Sequence, residues 1–221
     1  MLRMFTVWSL FAVPLAAVFY CMGFLFKKSG LGRYYPLPKC AGSFLFAGGA
    51  ALAYAAAGQA PIACLLFWAL ILCLAGDFLI EYHLIAGGLA FGAAHSLIML
   101  YLIRTSPVIP ADLVLWAVIF ALFLFLFRAE MPRMGGLLVP FLLYAAVLTG
   151  GLAFAVLLPF TRGIAFLPLP LGLLSFLISD MILGKRHFGC QKRYLSEILM
   201  AFYYLALFLI SAAPWFTSQP H

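Results

Sequence analysis

The 221-residue chain contains no asparagine, so it offers no N-glycosylation sequon, and only 9% of its residues are charged. Acids are the scarcer sign, with six Asp and Glu against thirteen Lys and Arg. The five cysteines (Cys21, Cys40, Cys64, Cys73, Cys190) form no C-x-x-C pair and sit mostly inside apolar runs. That spacing argues against a disulfide framework or a zinc knuckle and in favour of small apolar fillers. No basic arm with interleaved aromatics occurs. The formal charge of +7 therefore points to anionic lipid headgroups rather than to nucleic acid.

Apolar residues are what the chain has in abundance: 67% are hydrophobic and the mean hydropathy is +1.16. A soluble domain of this size could not hide that surface, so an all-α, polytopic integral membrane protein is expected. Taking about 20 apolar residues per crossing, eight transmembrane helices are read at 4–26, 38–57, 61–80, 84–103, 110–127, 136–158, 163–183 and 195–213. The first is longer than a signal-peptide core and lacks an A-x-A site, so it is kept as a helix. No linker or tail has room for a soluble domain, and residues 1–221 are read as one domain.

Orientation follows from the basic residues. Loops 1–2, 3–4, 5–6 and 7–8 carry Lys27, Lys28, Arg33, Lys39, Arg128, Arg133, Lys185, Arg186, Lys192 and Arg193. The other side carries only Arg3, Arg104 and Arg162. This bias places the four loops in the cytoplasm and both termini outside.

Against that frame two acids stand out. Asp77 lies inside Leu72–Ile80, and Asp180 inside Leu174–Leu183, each after a small residue (Gly76, Ser179). The other four acids, Glu81, Asp112, Glu130 and Glu197, sit at the ends of apolar runs. A carboxylate near a bilayer centre costs roughly 2.5–3.5 kcal/mol on insertion scales, so such a residue faces protein or trapped water. Counting helical rise from Glu81 and Lys185, both carboxylates are expected roughly 6–8 Å inside the cytoplasmic interface. Lys39, His95, Tyr144, Tyr203 and Tyr204 fall in the same leaflet by the same count.

Plainer roles exist for each residue. Lys39 could neutralise one acid, but not both. His95 could be a satisfied core histidine, whereas the tyrosines lie deeper than an aromatic belt needs. His83 and His187 read as solvated loop residues. Pro168 and Pro170 mark either a kink in span 7 or a late helix start. Gly88, Gly92 and Ser96 on span 4, and Gly172, Ser175 and Ser179 on span 7, form small-residue stripes that suit close helix packing. The recurring acid motif is compatible with a 4+4 parallel repeat, 1–104 and 105–221, although spans 2 and 6 match poorly.

Two carboxyl groups withdrawn from water at one depth can share a proton, giving one acid beside one ionised base. That division of labour suits acid-catalysed cleavage through a cationic transition state, as in glycosidases. A cytoplasmic-leaflet site suits a lipid-like substrate, and Lys39 at headgroup level suits its phosphate.

Pro36-Leu37-Pro38-Lys39-Cys40, Gly76-Asp77, Ala94-His95, Tyr144, Ser179-Asp180 and Tyr203-Tyr204, in this order on eight spans, resemble the YhhN-like lysoplasmalogenase family. The resemblance covers nearly the whole chain. It implies hydrolysis of the vinyl ether bond of lysoplasmalogens, releasing a fatty aldehyde and glycerophospho-ethanolamine or -choline. It carries Lys39, Asp77, His95, Tyr144, Asp180 and Tyr204 over as motif positions. Asp77 and Asp180 are then the expected catalytic pair, with either one as the acid. Lys39, His95, Tyr144, Tyr203 and Tyr204 are expected on the substrate, with no metal and no cofactor. The expected partners are a lysophospholipid substrate and membrane lipids, not nucleic acid, and the expected location is the bacterial cytoplasmic membrane. Two other readings use the same residues: a metal-dependent hydrolase with Asp77, Asp180, His95 and a loop histidine around zinc, and a proton-coupled transporter.

Overall fold

Each apolar run forms a helix in the structure, a computed structural model that describes residues 1–58, 61–189 and 194–217. Apart from a single four-residue turn at Leu158–Thr161, the α-helices are α1 Leu2–Lys28, α2 Pro36–Ala56, α3 Ala63–Ile80, α4 Leu84–Thr105, α5 Pro110–Phe127, α6 Leu138–Val156, α7 Pro168–Phe188 and α8 Tyr194–Thr217. No strand occurs among the described residues. Cys190, Lys192 and Arg193, used above for the cysteine and charge readings, lie outside the described residues.

Seven of the eight helices are long and apolar enough to cross a membrane. The chain is therefore an integral, multi-pass, all-α membrane protein. The helix that misses the hydropathy mark is α2, whose 21 residues include Lys39, Tyr54 and four glycine or serine residues between them. Its length still corresponds to about 30 Å of helix. It packs against α1, α3 and α8.

Local chemistry explains most helix ends. Proline occupies the first turn of α2, α5 and α7, where a missing N–H costs nothing. Asp112 accepts the Ile109 N–H at 2.9 Å, closing the start of α5. Pro168 and Pro170 do not kink span 7. The expected start at 163 is replaced by Gly163 at φ 109°, a 3₁₀ turn over Ile164–Phe166, and a helix beginning at Pro168. At its other end α7 runs five residues past the expected exit, to Phe188. Lys and Arg are good helix formers, and Lys185 reaches sideways, donating to the Leu126 carbonyl at 3.0 Å with Glu130 3.6 Å away.

Contacts at the two ends fix the bundle's polarity. Lys27 meets Ser196, Lys39 meets Glu81, and Lys185 meets α5, so the basic helix ends gather at one end. At the other end Phe5 packs on Trp215 and Phe216, and Tyr101 lies 3.3 Å from Thr217. In the wall, α3 packs on α4, α4 on α6, α6 on α7, and α7 on α8, which closes back onto α1, α2 and α3. Helix α5 joins at the edge through α6 and buries only Asp112, Phe123 and Phe127.

The small-residue stripes divide in their use. Gly172 packs as expected, with room for little more than hydrogen against Ala206, Leu209 and Ile210 of α8. On α4 the residue pressed against a neighbour is Gly87, where a Cβ would meet the Ile80 backbone. Among the described residues a Cβ at Gly88 would meet nothing beyond its own helix within 4 Å, and one at Gly92 would meet only the Tyr144 ring, at 3.5 Å. Gly88, Gly92 and Ser96 line an open groove instead.

Candidate active site

The last turn of α3 carries Asp77 to the basic end of the bundle, where the first two turns of α2 face it. Lys39 and Ser43 are four residues apart, so both project from one face of α2. Asp77 is 1% exposed. Its Oδ2 accepts the Tyr203 hydroxyl at 2.7 Å and the Ser43 hydroxyl. Its Oδ1 has no hydrogen bond and lies 3.4 Å from the Lys39 ammonium. Lys39, itself 8% exposed, turns its ammonium to Glu81 Oε1 at 2.8 Å. The lysine is thus clamped between Asp77 of α3 and Glu81 at that helix's C-cap, four residues apart. Tyr204 donates to the Pro38 and Lys39 carbonyls at 3.2 and 3.1 Å, tying α8 to the start of α2.

The second acid belongs to a different set of helices. Asp180 of α7 accepts the Tyr144 hydroxyl of α6 through Oδ2. Among the described residues its other oxygen has no hydrogen bond and no cation pairs with it. Because α7 continues to Phe188, Asp180 lies eight residues from its helix end, whereas Asp77 lies three from Ile80. The two carboxylates nevertheless wall one cavity of about 280 Å³, together with Lys39 and Tyr203.

Asp180 also faces the other way. With Tyr144 it lines an apolar groove of about 440 Å³ between α4 and α6. The groove's rim residues Leu89, Val139 and Leu143 are 64–67% exposed, which in a membrane means lipid-facing. The polar chamber and the lipid-facing slot therefore share a wall, in which Asp180 is the one carboxyl group beside Ile80, Leu84, Phe91, Leu183 and His187.

The remaining expected residues fall elsewhere. Tyr204 and Lys39 border a narrow crevice against α1, and the Tyr204 hydroxyl is taken by the α2 carbonyls. His95 lines none of these cavities. It is 1% exposed, lies edge-on to Phe176 at 4.4 Å and stacks 6.0 Å from Tyr144, with neither ring nitrogen hydrogen-bonded among the described residues. Phe176 and Phe91 meet the Tyr203 ring edge-on, forming an aromatic floor that holds the tyrosine on Asp77. Among the described residues no three of His, Cys, Asp and Glu come together as a metal ion would require.

Sequence reasoning missed Ser43, Glu81 and Arg186; His187, read as a solvated loop residue, is exposed but sits in the last turn of α7, where it also lines the cavity. The first two had a signal. Ser43 follows Lys39 by four residues and Glu81 follows Asp77 by four, so each pair shares a helix face.

The model of the YhhN family matches residues 34–213. No curated protein and no solved structure matches the chain.

Proposed function

The chain belongs to the YhhN family, and on that premise we propose that it is a membrane hydrolase cleaving the vinyl ether bond of lysoplasmalogens with Asp77 and Asp180. The observation that carries the reading is the position of Asp180 in the walls of both the lipid-facing groove and the polar cavity it shares with Asp77. An alkenyl chain in the groove would bring its first double bond to Asp180 and leave its glycerophospho-headgroup in the cavity.

The surroundings divide the roles. Asp77, with two hydroxyl donors and a nearby ammonium, is the member held as a carboxylate. Asp180, with one hydroxyl donor and no paired cation among the described residues, is the member that carries the proton. Asp180 protonates the β-carbon of the vinyl ether, giving an oxocarbenium ion that Asp77 stabilises electrostatically. Water adds to the carbon bearing the ether oxygen and loses a proton to Asp77, which leaves a hemiacetal. Collapse of the hemiacetal breaks the carbon–oxygen bond to glycerol and releases a fatty aldehyde and the glycerophospho-alcohol. Proton return from Asp77 to Asp180 through the shared cavity completes the cycle. The substrate is a membrane lysophospholipid, and the bacterial cytoplasmic membrane is the location that fits.

Purified protein in detergent, given a 1-alkenyl and a 1-acyl lysophospholipid in parallel, should release aldehyde from the first and no fatty acid from the second. Detergent supports no gradient, so a transporter would yield neither product. Folded protein that leaves the alkenyl lipid intact would overturn the proposal.

A further inference from the structure

The cavity holding the two acids carries cations that those acids do not answer. Lys27, Lys39 and Arg186 all line it. Lys39 is committed to Glu81 and Asp77, and a phosphate could reach it only by displacing a carboxylate. Among the described residues neither Lys27 nor Arg186 makes an ion pair, and Glu81 and Glu197 act on Lys27 only from beyond salt-bridge distance. The exposed end of α1 brings the Lys27 ammonium 2.8 Å from Ser196 Oγ and 3.5 Å from the Tyr35 ring centroid, both neutral groups. Arg186 makes no ion pair among the described residues, and its Nε is shut off from solvent without a hydrogen-bond partner. A desolvated guanidinium N–H without an acceptor is costly, and the planar fork of donors matches phosphate oxygens.

We infer that Arg186 and Lys27, with Ser196 between α1 and α8, form a phosphate subsite at the mouth of this cavity that takes the phosphodiester of a lysophospholipid headgroup. The inference rests on the hydrolase reading for where the scissile bond lies. Distance supports it: Asp180 and Arg186 are six residues apart on α7, about 9 Å of helical rise. About seven bonds run from the protonated carbon of the alkenyl ether to phosphorus, and extended that path is also roughly 9 Å. Lys27 lies outside residues 34–213, so one of the subsite's two cations comes from beyond the family-matched segment.

The test uses ligands that cannot be cleaved: a 1-O-alkyl lysophosphoethanolamine, the matching 1-O-alkylglycerol without phosphate, and inorganic phosphate alone. Binding to purified protein in neutral detergent is measured for wild type, Arg186→Gln and Lys27→Gln. Wild type should bind the phospholipid roughly 10–100-fold more tightly than the alkylglycerol, as charge-assisted hydrogen bonds allow. Each variant should lose most of that preference while its alkylglycerol affinity, which reports the fold, stays unchanged. Lys27 is exposed, so its variant keeps the test alive if Arg186→Gln fails to fold. No preference in wild type, or an intact preference in the folded variants, overturns the inference. Inorganic phosphate that binds as tightly as the lipid, and is lost in the same variants, assigns the site to free phosphate and overturns the headgroup. Failure of aldehyde release alongside the predicted binding pattern counts against the hydrolase reading alone. Wild-type KM for the alkenyl lipid in both variants counts against the subsite alone.

Discussion

Lys39→Met separates two tasks for this lysine. The sequence suggests a phosphate clamp at headgroup level, whose loss would raise KM. The structure instead buries the ammonium 2.8 Å from Glu81 and 3.4 Å from Asp77. At an effective dielectric constant near 20, each contact is worth about 5–6 kcal/mol of attraction, set against the desolvation of all three charges. Truncating one member of such a buried cluster typically costs about 3–5 kcal/mol, because the remaining charges lose their partner. For a chain of this length that corresponds to a fall in Tm of about 10 °C or more. Thermal unfolding in detergent measures the stability, and aldehyde-release kinetics measure the activity. We expect Tm to fall, and kcat to fall more than KM rises, because Asp77 loses the cation that holds it ionised. Adding Glu81→Gln should restore part of the lost Tm by removing one of two uncompensated carboxylates. A Lys39→Met protein with wild-type Tm and kcat but a tenfold higher KM would refute this account and return the lysine to the phosphate.

Three further substitutions probe the remaining parts of the site. Asp77→Asn and Asp180→Asn should each lower kcat by about 10²–10⁴-fold at saturating alkenyl lysolipid, with the double variant little worse than either single; near-normal release by either folded variant removes that acid from the mechanism. Tyr144→Phe deletes the one hydroxyl that bonds Asp180 among the described residues and should cost roughly tenfold in kcat with little change in Tm, read by the same two assays. His95→Leu should leave Tm unchanged or higher and activity within about threefold, because neither ring nitrogen has a hydrogen bond to lose; a collapse of Tm or kcat would show that the imidazole does have a partner when the protein works.

How much of this was legible in the chain differs between fold and site, for a physical reason. Helix positions follow from apolar run length, a local quantity, and most expected boundaries fall within about two residues of those observed. The larger misses have local causes too: Pro168 delays α7, Lys185 and Arg186 prolong it, and α8 continues through Pro214 to Thr217. Asp77 and Asp180 were conspicuous because a carboxylate inside an apolar run has few inexpensive explanations. The state of Lys39 was not legible. Whether it holds a ligand or is held by the protein depends on where Glu81 points, and that requires the packing of α2 on α3.

The stripe on α4 makes the same point more sharply. Gly88, Gly92 and Ser96 have the four-residue spacing of a packing face, and so do Gly172, Ser175 and Ser179 on α7. On α7 the glycine is filled by α8, while on α4 the space beside Gly88 stays open. Small residues in a membrane helix only state that bulk is absent; the neighbouring helix decides whether the space is occupied. Here the neighbour is α6, which offers Tyr144 at a distance that closes over Gly92 but not over Gly88. The hydroxyl of that tyrosine is committed to Asp180. A single side chain therefore sets the width of the lipid-facing groove and binds the acid at its inner end. On this account Tyr144→Phe should impair turnover while leaving the groove's capacity for an alkyl chain intact. Tyr144→Ala, which also widens the groove, should change chain-length preference as well.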